Sequence, residues 1–283
     1  MPSLPTQAVD QAHDARRFTG IERLYGAGAV ARAAAAHVVV VGIGGVGSWA
    51  TEALARSGIG QITLIDLDHI AESNINRQIH ALEATLGAAK VQAMAARIGE
   101  INPACRVTII EEFIDEENVA QLIPPCDAVI DAIDHVRAKA ALIAHCQQVG
   151  ITILTTGGAG GRLDPTQIQI ADLSRTTQDA LASNVRARLR KHYGYPRDPK
   201  KKFGVDCVFS PEQIRRPASA VRVSRDGFKD TATHNFSGAC PADAETFDAS
   251  MGLACAGYGS SVAITASFGF AAAARVLAGI LLK

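Results

Sequence analysis

The run His37-Val38-Val39-Val40-Val41 leads straight into Gly42-Ile43-Gly44-Gly45-Val46-Gly47, and a helical stretch follows from Ser48 to Arg56. Four consecutive valines favour a buried strand, because β-branched side chains pack well on a pleated surface. A glycine turn between such a strand and a helix admits few folds. The glycines let the backbone approach an anion, and the helix N-terminus offers unbonded N–H groups and the positive end of its dipole. Alone, GxGxxG fits any tight strand-to-helix turn. Here Ile62-Thr63-Leu64-Ile65-Asp66 reads as a second buried strand ending in an acid, where such folds hold a ribose hydroxyl. The pair points to a nucleotide-binding α/β sheet.

The alternation continues. The pattern predicts helices over Gly87–Ile98, Glu116–Leu122 and Val136–Gln148, and strands over Arg106–Ile110, Asp127–Asp131 and Ile151–Leu154. Alternating strands and helices imply a Rossmann-like, doubly wound, mostly parallel sheet. Gln167–Ala171 alternates with period two after Asp164-Pro165 and predicts an antiparallel addition. Residues 1 to about 16 are polar and read as an irregular end. From 174 to 248 the pattern breaks into a helix over Thr176–Tyr193 and then loop-rich sequence. We take this stretch as an insertion within one domain spanning 1–283, because the last apolar segment should return to the sheet.

Charge and cysteine usage exclude several classes. Lys plus Arg and Asp plus Glu each number 28, so any nucleic-acid affinity must come from a local patch. Cys105, Cys126, Cys146, Cys207, Cys240 and Cys255 form no CxxC pair, which gives neither a zinc ribbon nor a disulfide framework. A reducing cytoplasm fits, and the N-terminus lacks a signal-peptide pattern. Gly252–Leu282 carries only Arg275 as a charge and is long enough to cross a bilayer. Its glycines, serines and alanines fit burial in protein, or against a second subunit, better than lipid.

The side chains beyond the strand ends carry the chemistry. Asn74, Asn76, Arg77 and Gln78 lie past the second strand, Lys90 lies in the next helix, and Asp134 follows Asp131 by three residues. A guanidinium and an ammonium converging on one glycine cradle suit a triphosphate. A carboxylate at a neighbouring strand end suits Mg²⁺, which takes one or two carboxylates plus phosphate oxygens. The bland readings are a surface ion pair for Arg77, a solvated Lys90 and a helix N-cap for Asp134. In the insertion, Leu181, Val185 and Leu189 form an apolar stripe. Arg186, Arg188, Arg190, Lys191, Arg197 and Lys200–Lys202 alternate with Tyr193, Tyr195 and Phe203. Basic residues neutralise phosphate and aromatics stack on unpaired bases, so this is the candidate RNA-binding region.

Gly42-x-Gly44-Gly45-x-Gly47, Asp66-x-Asp68, Asn74-x-Asn76-Arg77-Gln78, Gly87-x-x-Lys90 and Asp131-x-x-Asp134 resemble the adenylylation domain of ubiquitin-activating and molybdopterin-synthase-activating enzymes. Within that superfamily the chain resembles the tRNA threonylcarbamoyladenosine dehydratases. Gly45–Ala50, Asn76–Leu82, Thr155–Gly161 and Gly204–Ser210 carry this second likeness. The resemblance implies ATP with Asp66 on the ribose and Gly44 and Gly45 at the phosphates. It implies Asn74, Arg77 and Lys90 on the triphosphate and Mg²⁺ at Asp134. It also implies a homodimer in which an N-terminal arginine reaches the partner's site. Many relatives carry that arginine where this chain has Gly20, leaving Arg23 or Arg17 for the role. The implied substrate is tRNA carrying threonylcarbamoyladenosine, with a cysteine desulfurase or sulfur acceptor as a candidate further partner and no zinc. The alternatives are an adenylyltransferase for a sulfur-carrier protein and a nicotinamide-binding redox protein. No cysteine is expected to act as an obligatory nucleophile.

Overall fold

The computed structural model describes residues 6–215 and 258–283, with side chains from Arg16 onward. Seven strands form one sheet in the order β3-β2-β1-β4-β5-β7-β6: β1 His37–Val41, β2 Gln61–Ile65, β3 Arg106–Ile110, β4 Ala128–Asp131, β5 Thr152–Thr156, β6 Gln169–Asp172 and β7 Asp206–Phe209. All pairings are parallel except β6 with β7. Val38 sits between Ile62 of β2 and Ala128 of β4, so β1 and β4 are the central pair. The order reverses there: β2 and β3 lie to one side, β4 and β5 to the other. In open parallel sheets that switch point is where a ligand crevice forms.

Helices cover both faces. They are α1 Thr6–Tyr25, α2 Ala29–Ala35, α3 Gly47–Arg56, α4 Lys90–Ile101, α5 Val119–Leu122, α6 Val136–Val149, α7 Ala180–His192 and α8 Val262–Leu281. Alternate valines of β1 feed opposite cores, as the two-residue repeat of a strand requires. Val38 and Val40 pack with Leu54, Met94 and Phe268, whereas Val39 and Val41 pack with Ile143 and Val185.

The apolar C-terminal segment returns to the sheet as α8, packed on α3 and α2 with Ile264, Phe268, Ala272 and Val276 buried. Gly269 permits this approach: a Cβ there would lie 2.5 Å from the Val46 carbonyl oxygen and 2.8 Å from the Ala50 nitrogen. Arg32 donates through Nε and Nη2 to the Leu281 carbonyl, at 3.0 and 2.7 Å, satisfying an otherwise open helix end.

Several boundaries differ from expectation. The N-terminal segment is helical from Thr6 rather than irregular. Helix α4 starts at Lys90, not Gly87, because Gly87 holds a φ of +80° and Ala89 is extended. Helix α5 is one short turn, because Asp115 and Asn118 form a local turn: the Asp115 carboxylate accepts from the Glu117 and Asn118 N–H groups. Helix α7 starts at Ala180, where Asp179 accepts from the Ala182 N–H as the cap. The larger correction is β7. The stretch expected to be loop-rich supplies a strand inserted between β5 and β6, so its first part belongs to the sheet.

Candidate functional site

Gly42 turns the chain out of β1 with a φ of +85°, and a Cβ there would sit 2.9 Å from the Ala132 carbonyl oxygen. This lets the turns after β1 and β4 lie against each other. Asp66, just past β2, braces the same turn. Its Oδ2 accepts from the Ile43 N–H at 2.6 Å and its Oδ1 from the Asp68 N–H at 2.9 Å. Burial pushes the Asp66 carboxyl up, opposed by the Lys90 charge and these two bonds. Gly47 opens α3 against the Gly42 carbonyl and is buried there.

Arg77 is fixed by its backbone and its side chain. Its carbonyl accepts from Trp49 Nε1 at 2.9 Å and from the Thr265 hydroxyl at 3.3 Å, which ties it to α3 and α8. Its Nη1 donates to the Ser73 carbonyl at 2.6 Å and to Asn76 Oδ1 at 3.0 Å. No carboxylate pairs with this guanidinium among the described residues, so the surface ion-pair reading fails. Asn74 is buried and its Oδ1 accepts from the Ala71 N–H, holding the short turn that presents Arg77. Gln78 Oε1 is buried and has no hydrogen-bond partner among the described residues. A buried acceptor without a donor costs about 1–3 kcal/mol, which a ligand N–H or O–H would offset.

Lys90 is not a solvated helix residue either. It is 6% exposed and its Nζ lies 2.6 Å from Asp68 Oδ2. Asp134 is exposed, and the cap of α6 is His135, whose Nδ1 accepts from the Ala138 N–H. Asp134 therefore is not an N-cap, and its carboxylate has no ion-pair or hydrogen-bond partner among the described residues. The loop carrying it is braced from beneath. Asp131 and Lys139 form a buried ion pair at 3.0 Å, and Lys139 Nζ also donates to the Ile133 carbonyl at 2.9 Å. Asp131 Oδ2 accepts from the Thr155 hydroxyl at 2.6 Å.

One cavity of about 1050 Å³ opens over the strand ends. Gly42, Gly44, Gly45, Asp66, Asp68, Asn74, Arg77, Lys90 and Asp134 all line it; Gly47 and Arg23 do not. Arg23 is exposed near the end of α1, and Arg17 donates to the Ile101 carbonyl at 2.7 Å. Sequence reading missed three contributors. Glu112, Asp115, Glu116 and Glu117 form an acidic wall after β3. Thr265 and Tyr258 reach the cavity from the far end of the chain. Trp49 acts on Arg77 from behind. Only the acidic run was visible in sequence, and nothing there placed it opposite the glycine turn.

The candidate RNA-binding region is corrected in part. Leu181, Val185 and Leu189 are buried as expected. Phe203, however, is a core residue, with Arg190 over its ring at 5.1 Å and Tyr195 edge-on to it. Tyr193 donates to Glu116, which also pairs with Arg188 at 2.6 Å. Phe203 therefore packs within the chain and offers no free face to a base, whereas Tyr193 and Tyr195 are half-buried, with their hydroxyls bonded to Glu116 and Gln147. Lys191, Arg197 and Lys200–Lys202 remain exposed. The rest of the insertion, with Cys240 and Cys255, lies outside the described residues. Cys207 lies in β7, and burial drives its thiol far up, away from thiolate formation. Burial also pushes Cys105 and Cys126 to about 11 and Cys146 to about 12.

A glycine turn at the switch point of a doubly wound sheet, facing two cations and a free carboxylate, defines a nucleotide-binding Rossmann-like protein. The ThiF family model matches residues 18–280, and the chain belongs to that family. It is 48% identical over 270 residues to the tRNA threonylcarbamoyladenosine dehydratase of Escherichia coli K12, covering 95% of this chain and 94% of that protein. The crystal structure of the E. coli tRNA N6-threonylcarbamoyladenosine dehydratase in complex with ATP superposes with a TM-score of 0.79 at 46% identity, covering 94% of each chain. The molybdopterin-synthase adenylyltransferase of Haemophilus influenzae is 31% identical over 162 residues, 54% of this chain and 66% of that protein.

Proposed function

We propose that this chain is an ATP-dependent tRNA threonylcarbamoyladenosine dehydratase, which adenylylates the carboxylate of the threonylcarbamoyl group and lets that group close into a ring. The observation that carries the reading is the convergence of Arg77, Lys90 and Asp134 on one glycine turn in one cavity. The near-full-length likeness to dehydratases supplies the substrate. A sulfur-carrier adenylyltransferase is favoured less, since that likeness covers about half of the chain. A tRNA substrate sets the reaction in the cytoplasm.

A carboxylate resists attack because oxide is a poor leaving group, and AMP is a good one. A carboxylate oxygen attacks the α-phosphorus of ATP, the bond to the bridging oxygen breaks, and pyrophosphate leaves with the electron pair. Arg77 and Lys90 neutralise charge on that leaving group. Lys90 spends one N–H on Asp68 and keeps two for phosphate oxygens. The orphaned Gln78 Oε1 and the unpaired Asp134 carboxylate suit a nucleotide and its metal. Asp134 would hold Mg²⁺, which supplies further neutralisation of the phosphates. Asp66 would meet the ribose with the lone pairs left after its two backbone bonds. A nucleophile within the threonylcarbamoyl group then attacks the activated carbonyl carbon and expels AMP. That step is intramolecular and needs no protein nucleophile, sulfur acceptor or zinc.

The active form we propose is a homodimer whose sites are completed by the partner's N-terminal arginine. Arg23 suits the role better than Arg17, which already anchors α1 to the end of α4. Incubation with ATP, Mg²⁺ and tRNA carrying threonylcarbamoyladenosine tests the function: AMP should appear in step with loss of one water from the nucleoside. ATP-dependent modification of a sulfur-carrier protein, without AMP release on tRNA, would replace this reading by the alternative.

A further inference from the structure

The proposed reaction brings two adenine rings to one protein, that of ATP and that of the modified nucleoside. The cavity has two benzenoid side chains among its described lining residues, Phe113 and Tyr258, and they belong to opposite ends. Phe113 follows β3, whereas Tyr258 lies beside Gly160, in the loop after β5. Four strand spacings, about 19 Å, separate β3 from β5. At about 1050 Å³ the cavity lies at the upper end of the ~300–1000 Å³ range of small-ligand pockets.

Charge distinguishes the two ends. Phe113 stands beside Glu112, Asp115, Glu116 and Glu117; Arg188 pairs with Glu116 and Arg137 lines the same end, so the carboxylates there still outnumber the cations and disfavour a polyanionic RNA. Around Tyr258 the lining is Ala159, Gly160, Ser260 and Thr265, with no carboxylate. The segment bearing Tyr258 is also held in place. The Gly259 carbonyl accepts from the Gly161 N–H at 2.8 Å, and the Ser260 carbonyl accepts from Asn76 Nδ2 at 2.9 Å. A Cβ on Gly160 would approach the Tyr258 Cβ to 3.3 Å, so the glycine lets the tyrosine lie close on this loop. Asn76 in turn holds Arg77, which links the Tyr258 segment to the phosphate end of the site.

We infer that Tyr258 is the stacking platform for the unpaired adenine of the tRNA substrate, and that this end of the cavity is the nucleoside subsite. The inference rests on the dehydratase reading. Its chemistry is base-on-phenol stacking, which tolerates phenylalanine and not an aliphatic side chain. The experiment measures steady-state AMP release by the full chain with tRNA carrying threonylcarbamoyladenosine. Tyr258→Ala and Tyr258→Leu should each raise the RNA KM by about 5- to 150-fold, the range for loss of one stacked base, with the ATP KM within twofold of the parent. Tyr258→Phe should behave as the parent, and Phe113→Ala should leave the RNA KM unchanged. Tyr258→Leu keeps the bulk, so it decides the matter if the alanine variant loses ATP binding through misfolding. An unchanged RNA KM in Tyr258→Leu, or an equal loss in Tyr258→Phe, overturns the inference. Absence of AMP release by the parent enzyme overturns the dehydratase reading instead.

Discussion

The ion pair of Asp131 and Lys139 offers the sharpest stability test, because both side chains are at most 1% exposed and lie directly under the loop that carries Asp134. Lys139→Met removes the cation and the donor to the Ile133 carbonyl while keeping the aliphatic bulk. Asp131 then retains only the Thr155 hydroxyl and the Ile133 N–H. Breaking a buried pair this way typically costs about 3–5 kcal/mol, mostly through the uncompensated charge. At a urea m-value of about 3 kcal/mol/M the midpoint should fall by roughly 1–1.7 M. Asp131→Asn with Lys139→Met replaces both charges and should recover most of the loss, leaving about 1–2 kcal/mol for the unmade hydrogen bonds. The deficit of the single variant should also depend on pH. Burial already raises the Asp131 carboxyl, and Lys139 is the principal force opposing that. Without Lys139 the folded-state value rises further, so the carboxyl protonates in the fold while the unfolded chain stays ionised. Stability linked to that proton is present at low pH and lost as pH rises through the raised value. The deficit should therefore shrink on acidification toward the ordinary carboxylate range. Urea titrations at several pH values provide the measurement. A single-variant loss below about 1 kcal/mol, or a double variant as unstable as the single, would refute the pairing argument.

Arg77→Ala, Lys90→Ala and Asp134→Ala should each reduce AMP formation by about 2–4 kcal/mol in the barrier, with the fold intact by circular dichroism. In the proposed dimer, mixing inactive Arg23→Ala, Arg17→Ala chains with inactive Lys90→Ala chains should restore part of the activity, and no recovery would count against a shared site. His80 is buried, both ring nitrogens lack partners among the described residues, and burial with the Lys90 and Arg97 charges lowers it to about 4. The fold holds the neutral ring, so stability is full above pH 6.5 and falls by up to about 1.4 kcal/mol per unit down to pH 4. His80→Leu should flatten that part of the stability profile; an unaltered slope would assign it to other groups. Reversing Lys200, Lys201 and Lys202 to Glu should weaken tRNA binding and reduce the salt slope of log affinity, leaving ATP binding unchanged. Unaltered affinity and slope would place the RNA contact elsewhere.

The parallel strands β1 to β5 were legible because each is a short apolar run rich in β-branched residues and bounded by turns, and Asp66 and Asp134 follow two of them. Strand β7 was not legible. Asp206-Cys207-Val208-Phe209 is four residues long, and its pairing with Leu154–Thr156 spans some fifty residues of chain. The chemistry of Arg77 and Lys90 could be read from their types and spacing, but their restraints could not. Asp68 with Lys90, and Trp49 and Thr265 with Arg77, are contacts made only once the sheet has folded. Phe203 misled for the same reason: it follows Lys200-Lys201-Lys202 in sequence, yet it packs under Arg190.

The most direct measurement is a single-turnover reaction of the purified full chain with ATP labelled at the α-phosphate, Mg²⁺ and tRNA bearing threonylcarbamoyladenosine. Label should pass to AMP with one equivalent of cyclised nucleoside, one water lighter by mass spectrometry, and both should form about 30- to 900-fold more slowly when Lys90 is alanine. Cyclised nucleoside formed without AMP, or AMP formed at an equal rate with tRNA lacking the threonylcarbamoyl group, would contradict carboxylate adenylylation as the function of this site.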